Sequence, residues 1–204
     1  MKNLIPAIAI MTACTLLLPS CAVVGSKTDS TALYDLGPLN TPQDKTALPA
    51  LPPVSIAPVQ VPVWLDSSMM FYRLNYANVQ QPRPYSLARW TMTPAQLLTQ
   101  NLKARIAQAG GIALAASDGA VGVPVLRIEA DDFSQHFASA TESNGQVALR
   151  ASLYRGRSLV AQRSFIRQTP SPSADAAGGA AALAAASDAA IADIILWLHG
   201  LPLK

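Results

Sequence analysis

Cysteine and histidine are scarce in this chain, which has only two of each among its 204 residues. Protein sites for zinc combine three or four such ligands at short spacings, and neither His136 nor His199 has a second histidine or a carboxylate at such a spacing. Two cysteines are also too few for a disulfide framework. The sequence therefore argues against a metalloenzyme and against a disulfide-stabilised small domain, and we expect no cofactor.

Charged residues are also few, at 13% of the chain, and neither sign dominates. Fifteen Lys and Arg against twelve Asp and Glu leave a formal net charge of +3. This excess is far smaller than the dense basic surface of nucleic-acid-binding proteins. We therefore expect no nucleic-acid partner.

Motifs for catalysis are missing as well. The sequence has no G-x-S-x-G turn around a nucleophilic serine, and the glycines near Gly119 and Gly122 lack the lysine of a phosphate-binding loop. Asp131 and Asp132 are adjacent, but neighbouring strand residues point to opposite faces. That favours a solvated strand end over a proton-sharing pair, and we expect a protein that is not an enzyme.

The first twenty residues have the layout of a bacterial export signal. Lys2 gives a positive start, residues 4–18 are apolar and uncharged, and residues 18–21 read Leu-Pro-Ser-Cys. This ending resembles a lipobox, in which the cysteine, here Cys21, becomes the lipid-modified first residue of the mature protein. The alternative is a plain secretory signal that is cleaved elsewhere, with Cys21 incidental.

A lipid anchor at Cys21 sets the expected location. The lipobox resemblance implies a diacylglyceryl group and a further acyl chain such as palmitate. Each buried methylene contributes about 0.8 kcal/mol, so several chains hold stably where one does not. Ala22 stands where inner-membrane lipoproteins commonly have Asp, which implies the periplasmic face of the outer membrane. Residues 21–30 are then a flexible tether, followed by one domain over residues 31–204.

Alternating apolar residues predict a sheet in this domain. Strands are expected at residues 32–36, 54–59, 69–74, 85–90, 126–131, 147–154 and 158–166, with the last two joined as a hairpin by the turn 155–157. A proline-rich connector over residues 37–53 follows the first of them. Two proline-containing stretches, 81–84 and 169–173, are interpreted as breaks between elements.

One helix is predicted between Thr93 and Gly110. Thr93 is a favourable N-cap and Pro94 a favourable first residue, while Gly110 has the character of a C-terminal cap. Apolar residues recur on one face of this helix, and the large ones are Leu98, Leu102 and Ile106.

A second helix is predicted over residues 174–199, with Gly178 and Gly179 expected to fray its start. Helical spacing gives it an apolar stripe formed by Leu183, Ile191, Ile194, Ile195 and Leu198. Asp188 and Asp193 argue against a membrane span, since each acid is costly near the centre of a spanning helix. We therefore expect a mixed α/β fold, an α/β sandwich in which a largely antiparallel sheet packs with two main helices.

A basic cluster stands out on the predicted hairpin. The sequence has no acidic residue between Glu142 and Asp175, and this stretch contains Arg150, Arg155, Arg157, Arg163 and Arg167. Guanidinium groups suit either a partner protein or lipid phosphates. The alternative is a solvated sheet edge whose charge discourages strand-to-strand aggregation.

A second cluster combines aromatic residues and methionine. Its members are Trp64, Met69, Met70, Phe71, Tyr72, Tyr76 and Trp90. Such enrichment is typical of interfaces and equally of a small core, so both interpretations stay open.

The order of these features resembles the ABC-type transport auxiliary lipoprotein family. The landmarks after the lipobox are Tyr34-Asp35-Leu36, Val54-Ser55-Ile56-Ala57-Pro58, Phe71-Tyr72-Arg73, Trp90 before the capped helix, and an alanine-rich helix ending on Trp197-Leu198. The resemblance covers nearly all of the mature chain. It implies an α/β sandwich on the periplasmic side of the outer membrane, with membrane contact through the lipid anchor.

The resemblance also implies partners. An ABC transporter and a mammalian-cell-entry (MCE) domain protein would bridge the envelope and move phospholipid, with this chain as an auxiliary or docking component and a homo-oligomer as a plausible state. An alternative function is a lipoprotein activator of an envelope enzyme such as a peptidoglycan synthase. A periplasmic hydrolase is the least favoured hypothesis.

Overall fold

The computed structural model describes residues 30–39 and 50–203. In these ranges it has eight strands and two helices of several turns. The strands are β1 (Ala32–Tyr34), β2 (Val54–Ile56), β3 (Met69–Leu74), β4 (Asn78–Trp90), β5 (Ala113–Ala115), β6 (Val125–Phe137), β7 (Ser143–Arg155) and β8 (Ser158–Pro170), and the helices are α1 (Pro94–Gln108) and α2 (Ala176–His199). The mixed α/β class is confirmed. The export signal, Cys21, most of the tether and residues 40–49 lie outside the described residues.

Strand β6 is the centre of the sheet. It pairs antiparallel with β7, which pairs antiparallel with β8, and each of these three strands has 13 residues. Strands β7 and β8 form the predicted hairpin, which is confirmed. The other edge of β6 is shared. Its first half runs parallel to β2, which also pairs with β5, and its second half runs parallel to β3. Strand β3 continues the sheet through β4 to β1, so β1 and β8 lie at opposite ends.

Helix α1 begins and ends where the sequence predicts. The Thr93 hydroxyl accepts a hydrogen bond from the Gln96 N–H while the Gln96 side chain accepts one from the Thr93 N–H, a reciprocal capping box. Gly110 follows with a φ of +77°, which favours glycine after the last turn. The predicted apolar face is buried in the core.

Helix α2 lies on the sheet, and its predicted apolar stripe is buried. The stripe residues are Leu183, Ile191, Ile194, Ile195 and Leu198. The expected fraying at Gly178 and Gly179 is wrong, because Asp175 caps the helix by accepting from the Gly178 N–H at 2.8 Å. A Cβ on Gly179 would lie 2.0 Å from Oε1 of Gln135 on β6. The two glycines therefore permit close contact of helix and sheet.

Helix α2 is long and apolar enough to cross a membrane by length and composition, but its packing identifies it as a core helix. Half of its most apolar window is buried inside the protein. Asp188 accepts hydrogen bonds from Arg105 and Asn101 of α1, and Asp193 pairs with Arg167 of β8. Both acids thus have partners within the domain.

The predicted break at 81–84 is wrong, and the one at 169–173 starts two residues later than predicted, because prolines are tolerated within edge strands. Strand β4 begins at Asn78 and runs through Pro82 and Pro84, where β3 is its only neighbour among the described strands. Strand β8 continues to Pro170, which lies opposite Asn144. A proline costs no ladder hydrogen bond where its nitrogen faces away from the neighbouring strand, so neither segment needs to end there.

Candidate functional site

Strand β8 forms a long open edge of the sheet. Within the described ranges it pairs with β7 alone, so the backbone groups along its other side have no strand partner. Leu159 and Ile166 are exposed on it, and the strand contains arginine but no acid. An open edge of this kind is a template on which an extended segment can add as a further strand.

A cleft of about 480 Å³ runs between β8 and the end of α2. Its floor is aromatic: the rings of Phe165 and Trp197 meet edge to face, with centroids 5.8 Å apart. The guanidinium of Arg163 lies 5.5 Å above the Phe165 ring, and Leu196 is exposed on the helical wall. The β8 cleft therefore combines an apolar floor with a cationic rim, next to an open strand edge.

The predicted arginines divide between the two faces of the sheet. Arg163 and Arg167 lie opposite Ala151 and Val147, whose side chains are buried on the α2 side. Arg150 lies on the other face, where its Nε donates to Oε2 of Glu129 at 2.9 Å. Hydrogen bonding to an opposing acid raises the pKa of both Arg150 and Arg167.

The turn positions Arg155 and Arg157 differ in their contacts. Nη2 of Arg155 donates to the Pro202 carbonyl at 2.6 Å, which ties the turn to the segment after α2. Arg157 is exposed in the turn itself. The acids that lie near these arginines, Glu129, Asp131 and Asp193, are outside the hairpin. The absence of acids within the hairpin sequence therefore did not reveal them.

Sequence reasoning missed the contribution of α2 to this cleft. Trp197 was singled out only as part of the helix ending, and Leu196 was not singled out. The available signal was the helical spacing, because Leu196 falls outside the stripe formed by Ile194, Ile195 and Leu198.

A buried polar cluster on β6 has the residue types of a catalytic triad but not its geometry. Nε2 of His136 lies 3.1 Å from the Ser134 hydroxyl and 2.8 Å from Oδ2 of Asp132. In a triad the acid and the nucleophile contact different ring nitrogens, so that the histidine can pass a proton between substrate groups while the acid orients it. Here both contact the same nitrogen, and Ser134 is fully buried.

The same cluster corrects the expectation of a solvated strand end at Asp131 and Asp132, because β6 continues to Phe137 and, of the two, only Asp131 is exposed. A register shift between Ala130 and Asp132 places Asp132 on the same face of β6 as Ser134 and His136, and Gln146 donates to it at 2.8 Å. Burial opposes its ionisation, but hydrogen bonds from His136 and Ser134 outweigh burial and lower the pKa of Asp132. The cluster is a satisfied structural network, and within residues 30–39 and 50–203 no group of three ligand side chains fits a metal ion.

The aromatic and methionine cluster divides between core and surface. Met70, Phe71 and Trp90 are buried, and the Trp90 ring contacts Phe133 with centroids 5.2 Å apart. Met69 is exposed, as is Tyr76. The core interpretation therefore holds for part of the cluster, and the exposed members stay available for contact.

Comparison with known proteins identifies the family. The family model for the ABC-type transport auxiliary lipoprotein component matches residues 34–195. The chain belongs to this family. The matched range includes every strand from β2 to β8, helix α1 and most of α2, so it contains the β8 side of the cleft, whereas Leu196 and Trp197 lie just beyond it. A search of curated proteins found no match.

Solved structures share the fold of this auxiliary lipoprotein. Protein XCC0632 from Xanthomonas campestris is 22% identical, with a TM-score of 0.69 over 82% of this chain and 95% of its own. Protein CT253 from Chlamydia trachomatis is 9% identical, with a TM-score of 0.53 over 74% of this chain and 98% of its own. At these identities the likeness concerns architecture alone.

Family membership gives the general function. Members are lipoproteins that act as auxiliary components of ABC-type transport systems. This auxiliary lipoprotein is therefore an envelope protein held at a membrane, and its association is with an ABC transport system.

Proposed function

We propose that this lipoprotein is anchored through Cys21 at the periplasmic face of the outer membrane and serves as the docking component of an MCE-type phospholipid transport system. The family match over residues 34–195 carries the proposal. The lipobox and Ala22 support the location, and the open β8 edge supports docking. The protein has no catalytic role in this proposal.

The docking surface of the proposal is the β8 edge with its cleft. Arg157 and Arg163 carry positive charge there, while Leu159, Ile166 and Leu196 are exposed apolar contacts. An extended partner segment with alternating acidic and apolar residues complements both properties. Two copies of β8 pairing with each other would bring arginines together, which disfavours that edge as its own partner.

Replacement of the anchor residue is the first test of location. Cys21→Ser removes the acylated thiol, so we expect the protein to accumulate as an unprocessed or soluble form and to be lost from the outer-membrane fraction. Cys14→Ser is the matched control, because Cys14 lies in the apolar signal and is absent from the mature chain. Outer-membrane recovery of the Cys21→Ser protein equal to that of the control would contradict the anchor.

Charge reversal tests the docking surface. Arg157→Glu with Arg163→Glu is preferred to a change at Arg155, because Arg155 also holds the Pro202 carbonyl. We expect weaker capture of the partner with a melting temperature close to that of the wild type, since surface substitutions usually change stability by about 0.5 kcal/mol or less. Arg83→Glu with Lys103→Glu, away from β8, is a control of equal charge. Equal capture by both double variants would exclude this edge as the docking site.

The partner itself is identified by crosslinking in intact envelopes, with tagged protein that keeps Cys21. Recovery of an MCE-domain protein together with its transporter would support the proposed role. Recovery of a peptidoglycan synthase would overturn the transport proposal and favour activation of an envelope enzyme.

A further inference from the structure

A row of exposed apolar residues crosses the end of the sheet nearest the tether. Leu33 on β1 and Met69 on β3 are both register partners of Arg89 on β4. Leu33 is 66% exposed and Met69 is 41% exposed, and Leu87, two residues before Arg89, is 46% exposed. Ala88 and Trp90 alternate with them and are buried, so the row lies on the outer face of these strands.

Exposure of three large apolar side chains in one row needs an explanation, because Met70, Ala88 and Trp90 on the other face of β3 and β4 are buried. Arg89 in the middle is held by its own strand: Nη1 donates to the Ala88 carbonyl at 2.8 Å and also to the Tyr85 carbonyl. No partner for its Nε or Nη2 is found among the described residues. Apolar residues around an arginine are typical of surfaces that contact the headgroup region of a bilayer.

The position of this row relative to the anchor identifies its partner. Nine residues, 22–30, join Cys21 to the described domain. A fully extended chain spans about 3.3–3.6 Å per residue, and Ala32 at the start of β1 is 11 residues after Cys21, so β1 begins within about 36–40 Å of the acylated cysteine. Leu87 precedes Ala88, the register partner of Ala32, and so lies level with the point where the tether enters β1.

We propose that the surface formed by Leu33, Met69, Leu87 and Arg89 rests on the phospholipid bilayer to which the chain is anchored. This inference rests on the proposed anchor at Cys21. Five strand spacings separate β1 from β8, and at about 4.8 Å each they place the docking edge roughly 24 Å away from the bilayer-facing end. One end of the sheet is thus assigned to lipid and the other to protein.

Site-directed fluorescence tests the assignment. The chain after residue 21 contains no cysteine, and Cys21 is acylated in the proposal, so a single new thiol can be labelled. Leu33→Cys, Met69→Cys and Leu87→Cys report on the row. Leu159→Cys on β8 is the matched control, because Leu159 is 52% exposed and the three row residues are 41–66% exposed. Each full-length lipoprotein, labelled with the NBD fluorophore, is reconstituted into vesicles of phosphatidylethanolamine and phosphatidylglycerol that carry brominated acyl chains.

We expect a blue shift and quenching of NBD emission by the brominated chains at positions 33, 69 and 87, and neither at position 159. Leu87→Asp, introduced with the reporter at 33, is expected to remove that quenching while the protein still floats with the vesicles. Flotation with equal emission at all four positions would overturn the bilayer contact and leave the anchor intact. Failure to float would overturn the anchor, and with it both the location proposed above and this contact.

Discussion

Leu102→Asp is expected to abolish folding. Leu102 is 1% exposed on the inner face of α1, within the core cluster that α1 shares with α2 and the sheet. Removing such a side chain costs about 2–5 kcal/mol. A buried carboxylate without a partner adds several kcal/mol more. The sum is comparable with the whole stability of a typical domain, about 5–15 kcal/mol.

The measurement is a thermal melt followed by circular dichroism. The wild-type chain is expected to unfold cooperatively, and Leu102→Asp is expected to show no cooperative transition. Gln100→Asp places the same charge on the exposed side of the same helix and is expected to melt close to the wild type. A cooperative melt for Leu102→Asp near that of Gln100→Asp would mean that α1 is not held against the core as described.

Gly145→Ala is expected to produce the second largest loss of stability. Gly145 lies on β7 beneath α2, and a Cβ there would be 2.6 Å from the backbone nitrogen of Leu183 and 2.7 Å from the carbonyl carbon of Ala182. Backbone atoms cannot rotate away as a side chain can, so the helix must move off the sheet. Overpacking costs about 1–3 kcal/mol and occasionally more, and we expect the upper end of that range here.

A cost of about 3 kcal/mol corresponds to a fall in melting temperature of roughly 6–12 °C for a domain of this size. Gly200→Ala is the control, because the added Cβ has its nearest neighbour, the Trp197 carbonyl oxygen, at 3.4 Å and the backbone there is in the right-handed helical region. If Gly145→Ala melts at the same temperature as the control, α2 can lie farther from the sheet without loss of stability, and the close contact at Gly145 is not needed.

Local signals in the sequence were sufficient for the helices and for the terminal hairpin. The N-cap at Thr93 and the apolar stripe of α2 are set by residues within a few turns of each other, and both are confirmed. The ends of β4 and β8 were not predictable in this way. Whether a proline ends a strand depends on which of its sides has a neighbour, and that is a property of the assembled sheet.

The candidate site was only partly predictable, for the same reason. The sequence identified the arginines of the hairpin, but not that Arg150 and Arg163 lie on opposite faces or that Glu129 and Asp193 lie beside Arg150 and Arg167. Nor did it give the β8 cleft, since Phe165 and Trp197 meet only when α2 returns across the sheet. Contacts between residues far apart in sequence carry no local pattern.

The sharing of β6 among three neighbours has a consequence for how the chain reaches its native state. Its parallel partners β2 and β3 are about 70 and 60 residues earlier in the sequence. Both pairings therefore require closure of a long loop, and the entropy cost of that closure comes before the strand contacts that offset it. Folds dominated by such distant pairings form slowly. During export the strands before β6 would emerge first; they can pair among themselves, but the edges of β2 and β3 that β6 later covers would stay open to aggregation. Folding of this lipoprotein is therefore expected to be limited by the arrival of its central strand, which makes the interval after translocation its most vulnerable period.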